Sequence, residues 1–114
     1  MTTTERNQPL SWKDLTTDDA IQVVYADQGV CVLLAKTRSC AVCKTIEPRL
    51  EHALSKHPDV SRYRVYLEDH EAFRGQHLIF SVPTVLIIKD GVELTRQSRF
   101  IDIQALSRQL GACT

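Results

Sequence analysis

Four cysteines are the residues best equipped for chemistry in this 114-residue chain, and two of them, Cys40 and Cys43, are separated only by Ala41 and Val42. Cysteines at i and i+3 on the first turn of a helix face the same side, with Cα atoms roughly 5–6 Å apart, a span that a disulfide bridges. Such a pair opens and closes with little backbone movement. If a helix begins at the pair, the leading thiol meets unsatisfied backbone N–H groups and the positive end of the helix dipole, both of which favour its anion. Cys40 then reads as the nucleophile. Cys43, tethered one turn inward, reads as the resolving thiol that attacks a mixed disulfide at high effective concentration.

Other uses of the pair carry weight at this point. In a reducing compartment a C-x-x-C pair is catalytic, redox-sensing or metal-binding rather than a permanent staple. His52 and His57 extend it to a C-x2-C-x8-H-x4-H string that resembles zinc-ligand spacing. If residues 40–57 are helical, however, His52 lies about 18 Å along the axis from Cys40, so the four do not converge. No metal or other cofactor is expected. Cys31, inside an apolar run, reads as a small buried residue, and Cys113, beyond Gly111, as a tail thiol.

The elements that must position the pair follow from periodicity. Residues 30–35 are continuously apolar and rich in β-branched side chains, which suits a central strand buried on both faces. Thr37 to Ser39 break that pattern; from Cys40 onward Val42, Ile46, Leu50, Ala53 and Leu54 recur at a helical period, ending before Pro58-Asp59. Pro48 falls inside this helix and predicts a kink. Upstream, Thr16, Asp18 and Asp19 open a first helix that runs through Tyr25 and ends before Gly29.

Downstream, Tyr63, Val65 and Leu67 alternate with Arg62, Arg64 and Tyr66, which reads as a strand with Arg64 facing solvent. Residues 70–79 form a helix weakened by Gly75. Thr84 to Ile88 make a second buried strand, Asp90-Gly91 a hairpin turn, and Val92 to Ser98 a more polar edge strand. Asp102 offers an N-cap to a last helix with Ile103, Leu106 and Leu110 on one face, and Gly111 supplies its stop. The order is helix, strand, helix, strand, helix, strand, strand, helix. A helical crossover demands parallel pairing and the hairpin antiparallel pairing, so the expected class is α/β, a mixed sheet of about four to five strands with helices on both faces.

Composition narrows the partners. Lys plus Arg and Asp plus Glu are both 14, a formal net charge of zero, so no single-sign field draws nucleic acid or an anionic membrane. The apolar runs are too short to span a bilayer, and the first nine residues carry no apolar segment behind a basic start. They are expected to be a flexible lead-in, followed by one domain over residues 10–114, in a cytosolic protein.

These residues together resemble the thioredoxin family from about Thr16 to Leu110. The resemblance is carried by Gly29, the strand at 30–35, Cys40-Ala41-Val42-Cys43-Lys44, Pro48, and Val82-Pro83-Thr84 ahead of Asp90-Gly91. It implies a thioredoxin fold with a cis bond before Pro83, lying against the two cysteines. It also implies a substrate surface of Ala41, Val42, Val82, Pro83 and Arg99, on which the backbone of Val82 pairs with an extended client segment. The chain departs from the family where common members have Trp-Cys-Gly-Pro-Cys, for it reads Ser39-Cys40-Ala41-Val42-Cys43. Leu34 replaces a buried acid, Arg99 replaces a glycine of the substrate groove, and Arg64 matches a lysine that partners the missing acid.

The expected function is thiol–disulfide exchange, acting mainly as a protein-disulfide reductase. Its partners would be disulfide-containing clients and a thioredoxin-reductase-type or low-molecular-weight-thiol recycling system. Two alternatives use the same fold: a non-enzymatic redox-sensing adaptor presenting Arg96, Arg99 and Phe100, and a narrowly specific transferase for small-thiol mixed disulfides.

Overall fold

The computed structural model describes residues 12–26 and 28–113, without the side chain of Val23. The lead-in expected at residues 1–9 lies outside them. The elements are β1 (Lys13–Asp14), α1 (Asp18–Ala26), β2 (Val30–Lys36), α2 (Ala41–Leu54), β3 (Ser61–Tyr66), a 3-10 turn (Leu67–Asp69), α3 (Glu71–Gln76), β4 (Thr84–Lys89), β5 (Val92–Ser98) and α4 (Ile103–Cys113). All eight anticipated elements are present in the anticipated order.

One five-stranded sheet has the order β1-β3-β2-β4-β5. β3 pairs in parallel with both β1 and β2, whereas β2 with β4, and β4 with β5, run antiparallel. The central strands β2 and β4 are apolar without alternation because both their faces are covered. On one face Leu33, Ala35, Leu86 and Ile88 pack with Ile21 and Val24 of α1 and Phe73 of α3. On the other, Val32, Leu34, Val85 and Ile87 pack with Ile46, Leu50 and Leu54 of α2 and Leu106 and Leu110 of α4.

The structure departs from the sequence-based expectation at five places. The two-residue β1 was not anticipated; it is too short to show a period and exists through its pairing with Tyr63 and Arg64. α3 covers six residues rather than 70–79, since Gly75 weakens its end and Leu78 takes a positive φ of 56°. Gly111 does not stop the last helix, which continues to Cys113, where the side chain of Lys89 donates to the Cys113 carbonyl at 3.2 Å. Cys113 is thus a helix-end residue packed against the α2/α4 core rather than a tail thiol. Arg64 is not solvent-facing: it is paired with Asp14 and Glu47.

The hairpin turn is a two-residue connection with positive φ at Asp90 (52°) and Gly91 (81°), the conformation whose twist matches the flanking strands. Asp90 also ties the start of β2, its carboxylate accepting from Gly29 N–H at 2.7 Å and its own N–H donating to Gly29 O at 2.9 Å. A Cβ on Gly91 would lie 2.4 Å from the carbonyl oxygen of Tyr25. Gly91→Ala is therefore expected to lose roughly 2–3 kcal/mol through φ strain and this collision. Gly111→Ala, in a helix interior with nothing near the added carbon, is expected to gain about 0.5–1 kcal/mol. Urea unfolding of both variants checks the pair; a loss at Gly111 would contradict a helix running to Cys113.

Candidate active site

Cys40 is the N-cap of α2, with extended backbone angles (φ −78°, ψ 101°), and its sulfur accepts the N–H of Cys43 at 3.1 Å. The local sequence explains this start. Thr37 to Ser39 leave the strand in a turn closed by Cys40 N–H donating to Thr37 O at 3.2 Å, and the apolar helical period then draws α2 onto the sheet. Cys40 and Cys43 are joined as a disulfide with Cα atoms 5.3 Å apart. Cys43 is fully buried, Cys40 is half-buried, and Ala41 and Val42 between them are exposed. The outer sulfur is thus the one open to attack and to attacking, while the inner one is held beneath it.

The loop ahead of Cys40 is clamped through Arg38. Its guanidinium forks onto Asp69 at 3.1 and 2.6 Å, its backbone N–H donates to Glu68 at 3.0 Å, and it lies 4.5 Å from the centre of the Tyr66 ring. The fork holds the Asp69 carboxyl below its ordinary range, and the Arg38 N–H does the same for Glu68. Next to this clamp, Lys36, Thr37, Arg38, Cys40, Lys44 and Tyr66 line a pocket of about 120 Å³.

The remaining site residues arrive through register. Ala35 of β2 pairs with Thr84, and Thr84 pairs with Ser98 of β5, so the ends of three strands meet beside the cysteines. The Val82–Pro83 bond is cis. Arg99 occupies a positive φ of 73°, and its N–H donates to the Pro83 carbonyl at 2.7 Å. Thr84 fastens the same corner, donating to Ser81 O at 2.7 Å and lying 2.9 Å from the Ser98 hydroxyl. Phe100 beyond it is 85% exposed. Val82 packs on the α1-side core, and its backbone polar groups have no partner among the described residues.

Thus Cys40, Cys43, Ala41, Val42, Val82, Pro83 and Arg99 share one end of the sheet. Cys31 does not join them: it is the second residue of β2, opposite Ile88, toward the far end of the ladder. Among the described residues, no three His, Cys, Asp or Glu side chains are grouped to hold a metal ion, and no helix is long and apolar enough to cross a membrane.

One feature near the cysteines escaped the sequence reading. Lys36 pairs with Glu47, Glu47 accepts from Arg64 at 2.9 Å, and Arg64 donates to Asp14 at 2.7 Å. A signal for it exists: Glu47 interrupts the buried α2 stripe of Cys43, Ile46, Leu50 and Leu54, and Lys36 ends an otherwise apolar strand. Leu34, by contrast, is completely buried in the apolar α2-side core and supplies no titratable group.

Comparisons with known proteins agree with this geometry. The family model described as Thioredoxin matches residues 13–111. A thioredoxin-like protein of Bacillus subtilis, YdfQ, is 30% identical over 71 residues, which are 62% of this chain and 63% of the relative. The chain thus spans a little less than two thirds of that relative's length. The thioredoxin of Chlamydia caviae is 33% identical over 69 residues, 60% of this chain and 68% of that one. Among solved structures, a variant of the Halobacterium salinarum thioredoxin has a TM-score of 0.82 at 20% identity, over 94% of each chain, which is a likeness of fold.

The Arg38 clamp has a definite pH dependence. Both carboxyls titrate lower in the folded chain than in the unfolded one, so their contribution is fully present above the ordinary carboxyl value of about 4. It is lost as pH falls through the depressed folded values. Arg38→Ala removes the guanidinium but keeps the backbone N–H, so it is expected to return the Asp69 midpoint to the ordinary range, to move that of Glu68 less, and to speed amide exchange at Ser39 and Cys40. NMR carboxyl titration with hydrogen exchange checks this, and an unchanged Asp69 midpoint in the variant would remove the Arg38 guanidinium as the cause.

Proposed function

The chain belongs to the thioredoxin family, and from that premise we propose that it is a thiol–disulfide oxidoreductase that reduces protein disulfides through Cys40 and Cys43. The observation that carries this reading is the disulfide at the head of α2, with a half-buried outer sulfur accepting a backbone N–H and a fully buried inner one. Reduced, Cys40 has the helix N-terminus and the Cys43 N–H to favour its thiolate.

The exchange balances in two steps. The Cys40 thiolate attacks one sulfur of a client disulfide; a Cys40–client bond forms, the client's own S–S bond breaks, and the departing client thiolate takes the electron pair and later a proton. Cys43, having lost its proton, attacks Cys40; the intramolecular disulfide forms and the second client sulfur leaves as a thiolate. The client gains two electrons and two protons, and the dithiol is oxidised. Return to the dithiol needs a two-electron donor, for which a thioredoxin-reductase-type enzyme or a low-molecular-weight thiol in the cytosol is the class that fits.

Binding of the client uses the same end of the sheet. The backbone of Val82, without a partner among the described residues, suits addition of an extended client segment as a further strand, and exposed Val42, Ala41 and the Arg99-Phe100 corner flank it. Pro83 lies between these groups, its carbonyl engaged by Arg99 and so kept inside the protein.

An insulin-type disulfide-reduction assay tests the reading. Cys40→Ser is expected to lower turnover by about 100-fold or more and to trap no client. Cys43→Ser keeps the attack but not the release, so it is expected to accumulate Cys40–client mixed disulfides visible without reductant on a gel. Wild-type chain without turnover, or equal trapping by the two variants, would favour a redox adaptor over an exchange enzyme.

A further inference from the structure

The buried ion chain has an order. Its side chains become more exposed step by step, from Lys36 (9%) and Glu47 (13%) to Arg64 (24%) and Asp14 (42%). Charges alternate along it, positive, negative, positive, negative, across β2, α2, β3 and β1. Only the first member, Lys36, lines the pocket that contains Cys40. The arrangement is a line of charge with its positive end in the wall of the pocket that holds Cys40 and its negative end toward solvent.

Ion pairs this well buried are costly to desolvate, and apolar side chains of similar size would cover the same ground at least as well. What the charges add is a field. A cation lining the same pocket as a half-buried sulfur favours the ionised form more than it would in water. Glu47, one helical turn beyond Cys43 and on the same face, opposes it.

We propose that Lys36 sets the reactivity of Cys40, its ammonium favouring the thiolate of the reduced site from the pocket wall, while Glu47, Arg64 and Asp14 hold it there and Glu47 limits the effect. Lys36 is a positioning residue: it forms no bond with the client. The proposal rests on the reading of Cys40 as the attacking sulfur.

The other charges around the pocket are accounted for. Arg38 is matched by Glu68 and Asp69, and Tyr66 lies beside Arg38 and Lys36 with its ring 5.4 Å from the Lys36 nitrogen. Lys44, on the first turn of α2, is exposed and has no ion-pair partner among the described residues, so its influence is screened by salt. Leu34 beneath the site contributes no charge, and from the β4/β5 side the charged residue at this corner is Arg99.

The test is the pH profile of Cys40 alkylation in the reduced protein, read by mass spectrometry at low and high salt. Lys36→Met is expected to raise the midpoint by about one pH unit, which is about tenfold slower labelling below both midpoints. Glu47→Gln should move it the opposite way. Asp14→Asn, at the exposed far end where folding is least at risk, should move it in the same direction as Glu47→Gln but less. Lys44→Met should give a smaller shift that shrinks at high salt, whereas the Lys36 shift persists.

A folded Lys36→Met variant with an unchanged midpoint would overturn the proposal, as would shifts of the same sign for Lys36→Met and Glu47→Gln, the result expected if the cluster only holds the fold. If Lys36→Met does not fold, unchanged or raised midpoints in both Glu47→Gln and Asp14→Asn overturn it instead. Alkylation needs no client, so an inactive wild type in the insulin assay would sink the enzymatic reading without bearing on the order of these midpoints.

Discussion

Antiparallel pairing of β2 with β4 is the constraint on which the site depends. Because Ala35 faces Thr84, the chain leaving β2 toward Cys40 and the chain entering β4 through Val82 and Pro83 must meet at the same end of the sheet. Thr84 facing Ser98 then brings Arg99 to that corner as well. A one-residue slip in either ladder would send every side chain of the strand to the other face and scatter these groups. β2 and β4 have apolar residues committed to two cores at once, so a slip would exchange the side chains that each core packs.

The same burial explains how a reactive sulfur comes to be held still. α2 is drawn onto the sheet by Ile46, Leu50 and Leu54, which fixes its first turn at the mouth of β2. Arg38 fixes the intervening loop from the other side, through carboxylates of the 3-10 turn that follows β3. Cys40 is therefore placed by a helix it caps and a loop it ends, and Cys43 by the apolar face of that helix.

Much of this was legible in the sequence, for identifiable reasons. The long apolar runs of β2 and β4 and the 3.6-residue period of α2 are strong signals because tertiary packing reinforces them. Asp90-Gly91 announces its turn because few residue pairs accept two positive φ angles. Gly111 misled, since an isolated glycine marks a helix end only if the backbone there turns left-handed, and here packing of Leu110 and Cys113 carries the helix on. Arg64 misled for another reason: its neighbours along the chain alternate as an edge strand would, but its partners come from residues 14 and 47, which no local pattern reveals.

The ion chain joining Lys36, Glu47, Arg64 and Asp14 also constrains how this sequence can have diverged. Its members come from four elements far apart along the chain, yet each inner charge is balanced by its neighbours in space. Replacing Glu47 alone leaves the buried Lys36 ammonium unmatched, a loss of about 3–5 kcal/mol, a large share of the stability of a domain this size. A sequence that gives up Glu47 is therefore expected to give up the Lys36 charge with it, so positions 36 and 47 are coupled. The polarity at the dithiol would then change between relatives in steps rather than by gradual drift.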